Sequence, residues 1–378
     1  MNQLATAVRL AIVVALGAHG QALATEFTYM EWRWVEEELA NSGFEPGPVD
    51  GRPGPKTRTA IGAWQRAAGE SVTGVLTSEQ MKTIVYRQPV KTFESDGATY
   101  TGEFVGEDMT GRGHFADENG SWYQGEFLDG IRHGYGITAF STGMQHEGQY
   151  VDDQFDGPGI LIWPSGSRYE GDFVQGARTG RGVMTWGKGD SEGERYEGDF
   201  VNGNRTGQGV LTSPDGERYE GDFLDGKRTG RGIWLSADGT RYEGDVVNDH
   251  AHGEGVLTRA TGVRYEGAFV AGKAHGHGEI RWPNGDRYQG QWRNDEKHGE
   301  GLFIWASGKQ VQGTFRNGLL HGPVAWTSPT GEQSIEEYDA GRRVAPSSRA
   351  PDNQVLPTPR DPARPVVLIG GSSGGQEP

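Results

Sequence analysis

Arg218-Tyr-Glu-Gly-Asp-Phe-Leu-Asp-Gly-Lys-Arg-Thr-Gly-Arg-Gly-Ile-Trp234 decides how this chain folds. Its first six residues alternate. Tyr219, Gly221 and Phe223 fall on one face of an extended strand, and Arg218, Glu220 and Asp222 fall on the other. A turn centred on Gly226 follows, after which a second strand places Gly230, Gly232 and Trp234 on a single face. The stretch is therefore one β-hairpin. Ser213-Pro-Asp-Gly216 before it supplies turn residues of the hairpin kind, as Trp282-Pro-Asn-Gly285 does further on.

The pattern recurs along the chain. Stepping by 23 residues from Tyr100 reaches Tyr123, His146 and Tyr169. One step of 27, lengthened by Gly187–Glu194, leads to Tyr196, and the period resumes through Tyr219, Tyr242, Tyr265, Tyr288 and Val311. Third and twelfth positions are glycine in all ten repeats, and the fourteenth fails only at Val324. Tyr169, Gly171 and Phe173, Tyr196, Gly198 and Phe200, Tyr219, Gly221 and Phe223, and Tyr265, Gly267 and Phe269 carry the signature in full. Strand glycine weakens a sheet unless something must come close to the backbone, so the rings are expected to lie over the glycine columns. This Y-x-G-x-F…G…G-x-G signature resembles the MORN repeat and covers about two-thirds of the chain. The expected fold is mainly β, an elongated antiparallel meander of hairpins over residues 98–341, with Ser334–Gly341 as a terminal cap. About twenty strands at ~4.8 Å spacing would extend nearly ~100 Å and must twist or curl.

Opposite the rings runs a charge ladder. Arg168, Arg195, Arg218, Arg241, Arg264 and Arg287 stand beside Glu170 and Asp172, Glu197 and Asp199, Glu220 and Asp222, and their equivalents. Cross-strand ion pairing on a solvated face accounts for it. Residues 98–340 hold 22 basic and 38 acidic side chains, a net of −16. MORN repeats are often proposed to bind anionic phospholipid. A basic residue near such a surface contributes about 1 kcal/mol, so an array this acidic is expected to be repelled, and lipid is the weaker partner. The whole chain, also at −16, is disfavoured for nucleic acid, where Lys and Arg must neutralise phosphates. Histidines recur at the eleventh position (His133, His252, His275, His298 and His321), with His277 beside. Equivalent residues in successive repeats lie about 9–10 Å apart, which is awkward for a shared ion. Thr110, Thr179, Thr206 and Thr229 fill the same column, so a turn-proximal polar row without metal is expected.

Residues 29–88 read differently. Trp32, Val35 and Leu39 share one helix face that stops near Ser42-Gly43. The turn-rich stretch Glu45–Pro55 forbids helix, and Pro55 then suits a first helical position. Ala60, Ile61, Trp64 and Ala68 give a second apolar stripe. Thr77-Ser-Glu-Gln80 reads as a capping box for a third helix with Met81, Ile84 and Val85. The run from Gly43 through Asp50-Gly51, Gly54, Thr57, Ala60 and Trp64-Gln65, with Val-Thr-Gly74 following, resembles the peptidoglycan-binding-like domain of cell-wall hydrolases. Glu37 and Glu38 stand where family members often carry Gln, and Trp64 replaces the more usual Phe. The resemblance implies attachment to wall polymer through a groove, with no chemistry of its own. Candidate contacts are Asp50, Gly51, Thr57, Trp64 and Gln65, of which Gln65 is the better polar one. Each also has a structural reading: Asp50-Gly51 as a turn, Thr57 as a tie in the first turn of its helix, and Trp64 as core.

The ends and the composition bound the function. Arg9, the apolar run Leu10–Leu16 and Ala22-Leu23-Ala24 together read as a secretory signal over residues 1–24, with the mature chain beginning near Thr25. The helical domain and its linker occupy 25–97, and 342–378, with seven prolines, is a tail in which Val366–Ile369 could add to a sheet edge. The chain has no cysteine, which excludes disulfides, thiolate nucleophiles and Cys-type metal sites. No nucleophile elbow, zincin or phosphate-loop motif occurs, and the paired carboxylates recur with the repeat rather than standing alone. The reading is an exported, periplasmic, non-enzymatic adaptor without cofactor. It binds peptidoglycan through its helices and presents the sheet, as an aromatic and charged surface, to a protein partner. A lipid-binding membrane-surface protein and an accessory subunit of a wall hydrolase or synthase are the alternatives, and self-association through sheet edges is open in all three.

Overall fold

The computed structural model describes residues 27–344; residues 1–24, expected as a secretory signal, and the expected tail from residue 345 lie outside them. The described residues form three helices and then 23 strands. They divide into two units, one ending at Pro164 that also takes Asp172–Gly176, and one of Ser165–Gly171 with Ala177 onward.

In the first unit, α1 (Tyr29–Asn41), α2 (Pro55–Ala67) and α3 (Ser78–Val85) precede β1 (Val90–Ser95), β2 (Ala98–Val105), β3 (Asp108–Ala116), β4 (Trp122–Leu128), β5 (Ile131–Ala139), β6 (Gln145–Val151) and β7 (Gln154–Ile162). Capping fixes where the helices start. The Thr28 hydroxyl accepts from Glu31 N while the Glu31 carboxylate accepts from Thr28 N, and Thr77 and Gln80 do the same for α3. Pro55 opens α2, as its fixed φ favours. Met30, Trp34, Val35, Leu39, Ile61, Met81 and Val85 close a small core, which Ile137 of β5 completes. The reach 89–97, expected as linker, contributes β1, which pairs antiparallel with β2 from Val90 opposite Glu103 to Ser95 opposite Ala98.

Of β8 (Arg168–Val174), the first four residues belong to the second unit and the last three to the first. The second unit continues with β9 (Ala177–Thr185), β10 (Arg195–Val201), β11 (Asn204–Thr212), β12 (Arg218–Leu224), β13 (Lys227–Leu235), β14 (Arg241–Val247), β15 (His250–Thr258) and β16 (Arg264–Val270). Then come β17 (Lys273–Arg281), β18 (Arg287–Arg293), β19 (Glu296–Ile304), β20 (Gln310–Arg316), β21 (Leu319–Thr327), β22 (Gln333–Asp339) and β23 (Arg342–Val344). Residues 342–344, expected as the start of the tail, are thus a strand. Pairing is antiparallel between chain neighbours, β1 to β7 in the first unit and β9 to β23 in the second.

The hairpin of β12 and β13 explains the repeat. Asp225 (φ 49°) and Gly226 (φ 81°) form a two-residue turn with both residues left-handed, the geometry that matches strand twist. Past it the register shifts between Gly221 and Asp222, so that Asp222 faces Thr229 and Gly221 faces Gly232. The twelfth-position glycine, here Gly230 at φ 58°, absorbs this bulge. The Tyr219 ring lies across the other two glycines: a Cβ on Gly232 would come within 2.4 Å of its Oη, and one on Gly221 within 2.6 Å of Gly232 Cα. Phe223 meets Tyr219 edge to face at 5.3 Å and Tyr196 of the preceding hairpin at 5.0 Å. Each ring is therefore shared between hairpins. The turns stitch neighbours too, since Gly226 N donates to Arg205 O at 2.9 Å. Where the second turn residue is Asp instead, its N–H makes the same bond, Asp249 N to Arg228 O at 3.0 Å, and its carboxylate adds two more by accepting from Arg228 N and Nε.

Candidate functional site

In the helical domain the expected contact residues divide. Gln65 is fully buried. Its Oε1 accepts from Thr73 N and Gly74 N at 2.8 and 2.9 Å, and its Nε2 donates to Val75 O at 2.8 Å. It pins the loop between α2 and α3, leaving nothing for a ligand. Thr57 is buried as well, accepting from Gly54 N at 3.1 Å and lying 3.1 Å from Pro46 O. Gly51 (φ 67°) donates its N–H to Glu36 Oε2 at 2.8 Å, and a Cβ there would strike the Tyr29 ring and carbonyl at 2.7 Å. Asp50 is exposed and caps Arg52 N at 3.1 Å, while Trp64 is half-buried against the helical core.

The residue behind this arrangement is Glu36, whose fully buried carboxylate also accepts from Asp50 N at 3.0 Å and stands 3.2 Å from the Thr57 hydroxyl. Burial pushes its pKa up, against the lowering effect of the Gly51 and Asp50 N–H bonds. The α1 pattern gave no signal for it, because a carboxylate beside Val35 looks like any polar helix position. Glu37 and Glu38, the acids the sequence drew attention to, serve elsewhere. Arg112 of β3, with its side chain 8% exposed, pairs with Glu37 at 2.7 Å and Glu38 at 2.9 Å, and donates to Val85 O at 2.9 Å. Tyr29 donates to Glu147 of β6 at 2.9 Å, as Tyr135 does at 2.6 Å, and the Arg33 guanidinium lies 3.9 Å over the Tyr135 ring. Burial, reinforced by Glu147, raises the Tyr29 pKa to about 12. The helices thus sit on the ladder face of β2 to β6, where the regular Arg–Glu pattern gives way to Gln124, Tyr135 and Ile137.

The groove lies away from these contacts. One concavity of about 320 Å³ is lined by Glu45, Pro55, Lys56, Thr59, Ala60 and Ala63. A second, of about 360 Å³, is lined by Ala40, Gly43, Phe44, Glu45, Pro46, Gly47 and Lys56. Both share Glu45 and Lys56, so opposite charges line each, beside Ala63 in the first and Phe44 in the second. None of the residues docked on the sheet lines it.

The repeat signature is core. Tyr169, Tyr196, Tyr219 and Tyr265 and their partners Phe173, Phe200, Phe223 and Phe269 are at most 3% exposed. Burial raises the Tyr196 pKa to about 12. Gly171, Gly198 and Gly221 are crowded in the same way, and Gly267 has φ 144°. These rings cannot be offered to a partner, contrary to the expectation of an aromatic surface. His146, the one histidine in the tyrosine column, stacks 3.8 Å from Phe155 with its Nδ1 2.8 Å from Tyr150 Oη. Burial holds its pKa down to about 3, so it is a neutral ring.

Two rows remain outside. The ladder arginines pair along their own strands, Arg195 with Glu197 at 2.7 Å, and Arg218 with Glu220 and Arg241 with Glu243 at 2.6 Å, while Arg231 reaches across to Asp245 at 3.7 Å. Beside it, at the last strand position before each turn, Val201, Leu224, Val247 and Val270 are 54, 58, 44 and 45% exposed. Among the described residues no three His, Asp or Glu side chains come together as a metal site, and no helix is long and apolar enough to cross a membrane.

Comparison with known proteins follows the same division. Residues 29–84 match the peptidoglycan binding domain family. Nine segments match the MORN repeat, continuous from 123 to 191 and from 196 to 310, then 312–323. The hairpin at Tyr100 lies before the first match yet has the same ring-on-glycine contact. No curated protein matches the chain. Among solved structures it is similar at 14% identity to the SAS-4 (dCPAP) TCP domain of Drosophila melanogaster, solved in complex with a proline rich motif of Ana2, over 41% of this chain and 83% of that one (TM-score 0.27). Similarity to the TCP10 domain of Danio rerio CPAP is also 14%, over 58% of this chain and 96% of that one (TM-score 0.27). The matched domains are binding domains rather than catalytic ones. With ring, glycine and hairpin coinciding in register over half its length, the chain belongs to the MORN-repeat family, and it carries a domain of the peptidoglycan-binding type at its N-terminal side.

Proposed function

We propose that this protein is an exported, non-enzymatic adaptor of the periplasm that holds peptidoglycan in the groove around Glu45 and Lys56 and offers its repeat array to a protein partner. The observation that carries the reading is that groove, in a domain of the peptidoglycan-binding type, left free while α1 is committed to the sheet. Stem peptides bring ammonium and carboxylate groups, which suit Glu45 and Lys56, and sugar rings bring apolar faces, which suit Phe44 and Ala63. On the array, the partner surface is the aliphatic row from Val201 to Val270 with its flanking charges. Its ladder is strongly acidic, which disfavours an anionic membrane.

Sedimentation with purified murein sacculi tests the first half. The full chain is expected to pellet, and Lys56→Glu and Ala63→Trp are expected to stay in the supernatant with an unchanged circular dichroism spectrum. If both variants pellet as the parent does, the groove is not the site. If the parent itself stays soluble, the helical domain docks protein, and the accessory-subunit reading replaces this one.

A further inference from the structure

At the C-terminal end of the array five half-buried rings run in an unbroken chain. Trp282 and Phe303 stand 5.5 Å apart, Phe303 and Trp305 4.5 Å, Trp305 and Trp326 5.6 Å at an interplanar angle of 17°, and Trp326 and Tyr338 6.3 Å. Lys297 lies 4.8 Å over Phe303 and Lys309 4.1 Å over Trp326. Neighbouring rings and the lysines cover part of this ring surface, and the remainder is a continuous aromatic row, the kind of surface on which proline-rich segments dock.

The chain carries such a ligand. Val344, the last described residue, belongs to β23, which pairs with β22 so that Arg343 lies opposite Tyr338, the last ring of the chain. Beyond it the sequence holds Pro359, Pro362 and Pro365, three residues apart. A polyproline II helix has three residues per turn and rises about 3.1 Å per residue, so prolines spaced by three would share one face of such a helix at intervals of about 9.3 Å. Trp282 and Trp305, and likewise Phe303 and Trp326, are separated by one 23-residue repeat, which is two strand spacings or about 9.6 Å. The two periods match. The ten residues 345–354 reach up to about 33 Å, more than the five strand spacings, about 24 Å, that the rings span.

We propose that residues Val355–Pro365 dock in cis as a polyproline II helix across Trp282, Phe303, Trp305 and Trp326. The surface is then one that a proline-rich segment of another protein would have to win from the tail.

The absence of native cysteine makes the test clean. Spin labels at Ser307→Cys and Thr358→Cys in the full chain, read by pulsed dipolar spectroscopy, are expected to give one narrow distance. Adding Pro359→Ala, Pro362→Ala and Pro365→Ala, all outside the folded array, is expected to broaden it. Equally broad distributions in both proteins overturn the proposal. A narrow distance that vanishes on dilution with unlabelled chain means docking between copies, and that also overturns it. Trp305→Ala offers a second check, since it should release the tail while the spectrum of the folded array is retained.

Discussion

A single carboxylate shows how residue chemistry organises the helical domain. Glu36 replaces the water that Gly51 N, Asp50 N and the Thr57 hydroxyl would otherwise need. Glu36→Ala should therefore cost about 2–4 kcal/mol, since it strands several buried polar groups at once. Glu36→Gln keeps the bonds if its amide donates to Thr57, whose proton then goes to Pro46 O. Because burial raises the folded-state pKa of Glu36 above its unfolded value, the contribution of Glu36 to stability is fully present below the ordinary glutamate value, about 4.3. The parent domain loses that part of its stability as pH rises through the raised value. The Gln variant should lack this slope, and urea unfolding from pH 4 to 8 measures it. In the array the matching residue is the ring-covered glycine. Gly232→Ala puts a methyl within 2.4 Å of Tyr219 Oη, so it is expected to destabilise by about 1–3 kcal/mol through overpacking, whereas alanine at Gly216, which meets no neighbour but sits at φ 95°, should cost only the backbone strain of about 1–2 kcal/mol in the same thermal melts.

At the scale of the element, the hairpin was legible in the sequence because one period fixed strand, turn and face together. The alternation of Tyr219, Gly221 and Phe223 placed the rings over glycine before any coordinates. Less visible was the bulge. Twelfth-position glycine looked like another strand glycine, yet Gly230 serves a positive φ, and a Cβ there would strike the Asp222 side chain rather than a ring. The ladder's pairing direction also escaped, because Arg218 and Glu220 are equally close in sequence whether they pair along or across strands. Turn chemistry makes its own prediction. Ala271 sits at φ 49°, where other turns carry Asn or Asp. Ala271→Asn should stabilise the protein by about 0.5–1 kcal/mol, and the corresponding change in Tm can be read by calorimetry.

Across the whole molecule, the three-helix domain, the ten-hairpin array and their order could be read from residues alone. The seat of the helices could not. It depends on Arg112, Tyr135 and Ile137, which interrupt the ladder, and only the fold shows that interruption to be an interface. Arg112→Ala should cost about 1–3 kcal/mol by removing the buried donor to Glu37, Glu38 and Val85 O, although Glu37 is partly exposed and Glu38 keeps Arg87, and hydrogen exchange in α1 should rise with it. The candidate wall contacts Thr57 and Gln65 were found by motif, and the motif turned out to preserve internal bonds. The exposed aliphatic row was missed because one valine per 23 residues has no period that an amphipathicity argument detects. Val201→Asp, Leu224→Asp and Val247→Asp together should abolish co-purification of a partner from cells while leaving the melting temperature within a few degrees.

The stitching of each hairpin to the one before it has a mechanical consequence. Rings such as Phe223 and turns such as Gly226 bind only the adjacent hairpin, so tension applied across β9 to β23 has no shared core to break at once. Each hairpin would peel away in turn. Twenty-three extended residues measure about 80 Å and replace about 10 Å of sheet, so every release lengthens the chain by about 70 Å. An adaptor held at one end by the wall and at the other by its partner would yield in such steps, as a shock absorber does, and re-form hairpin by hairpin when the load falls.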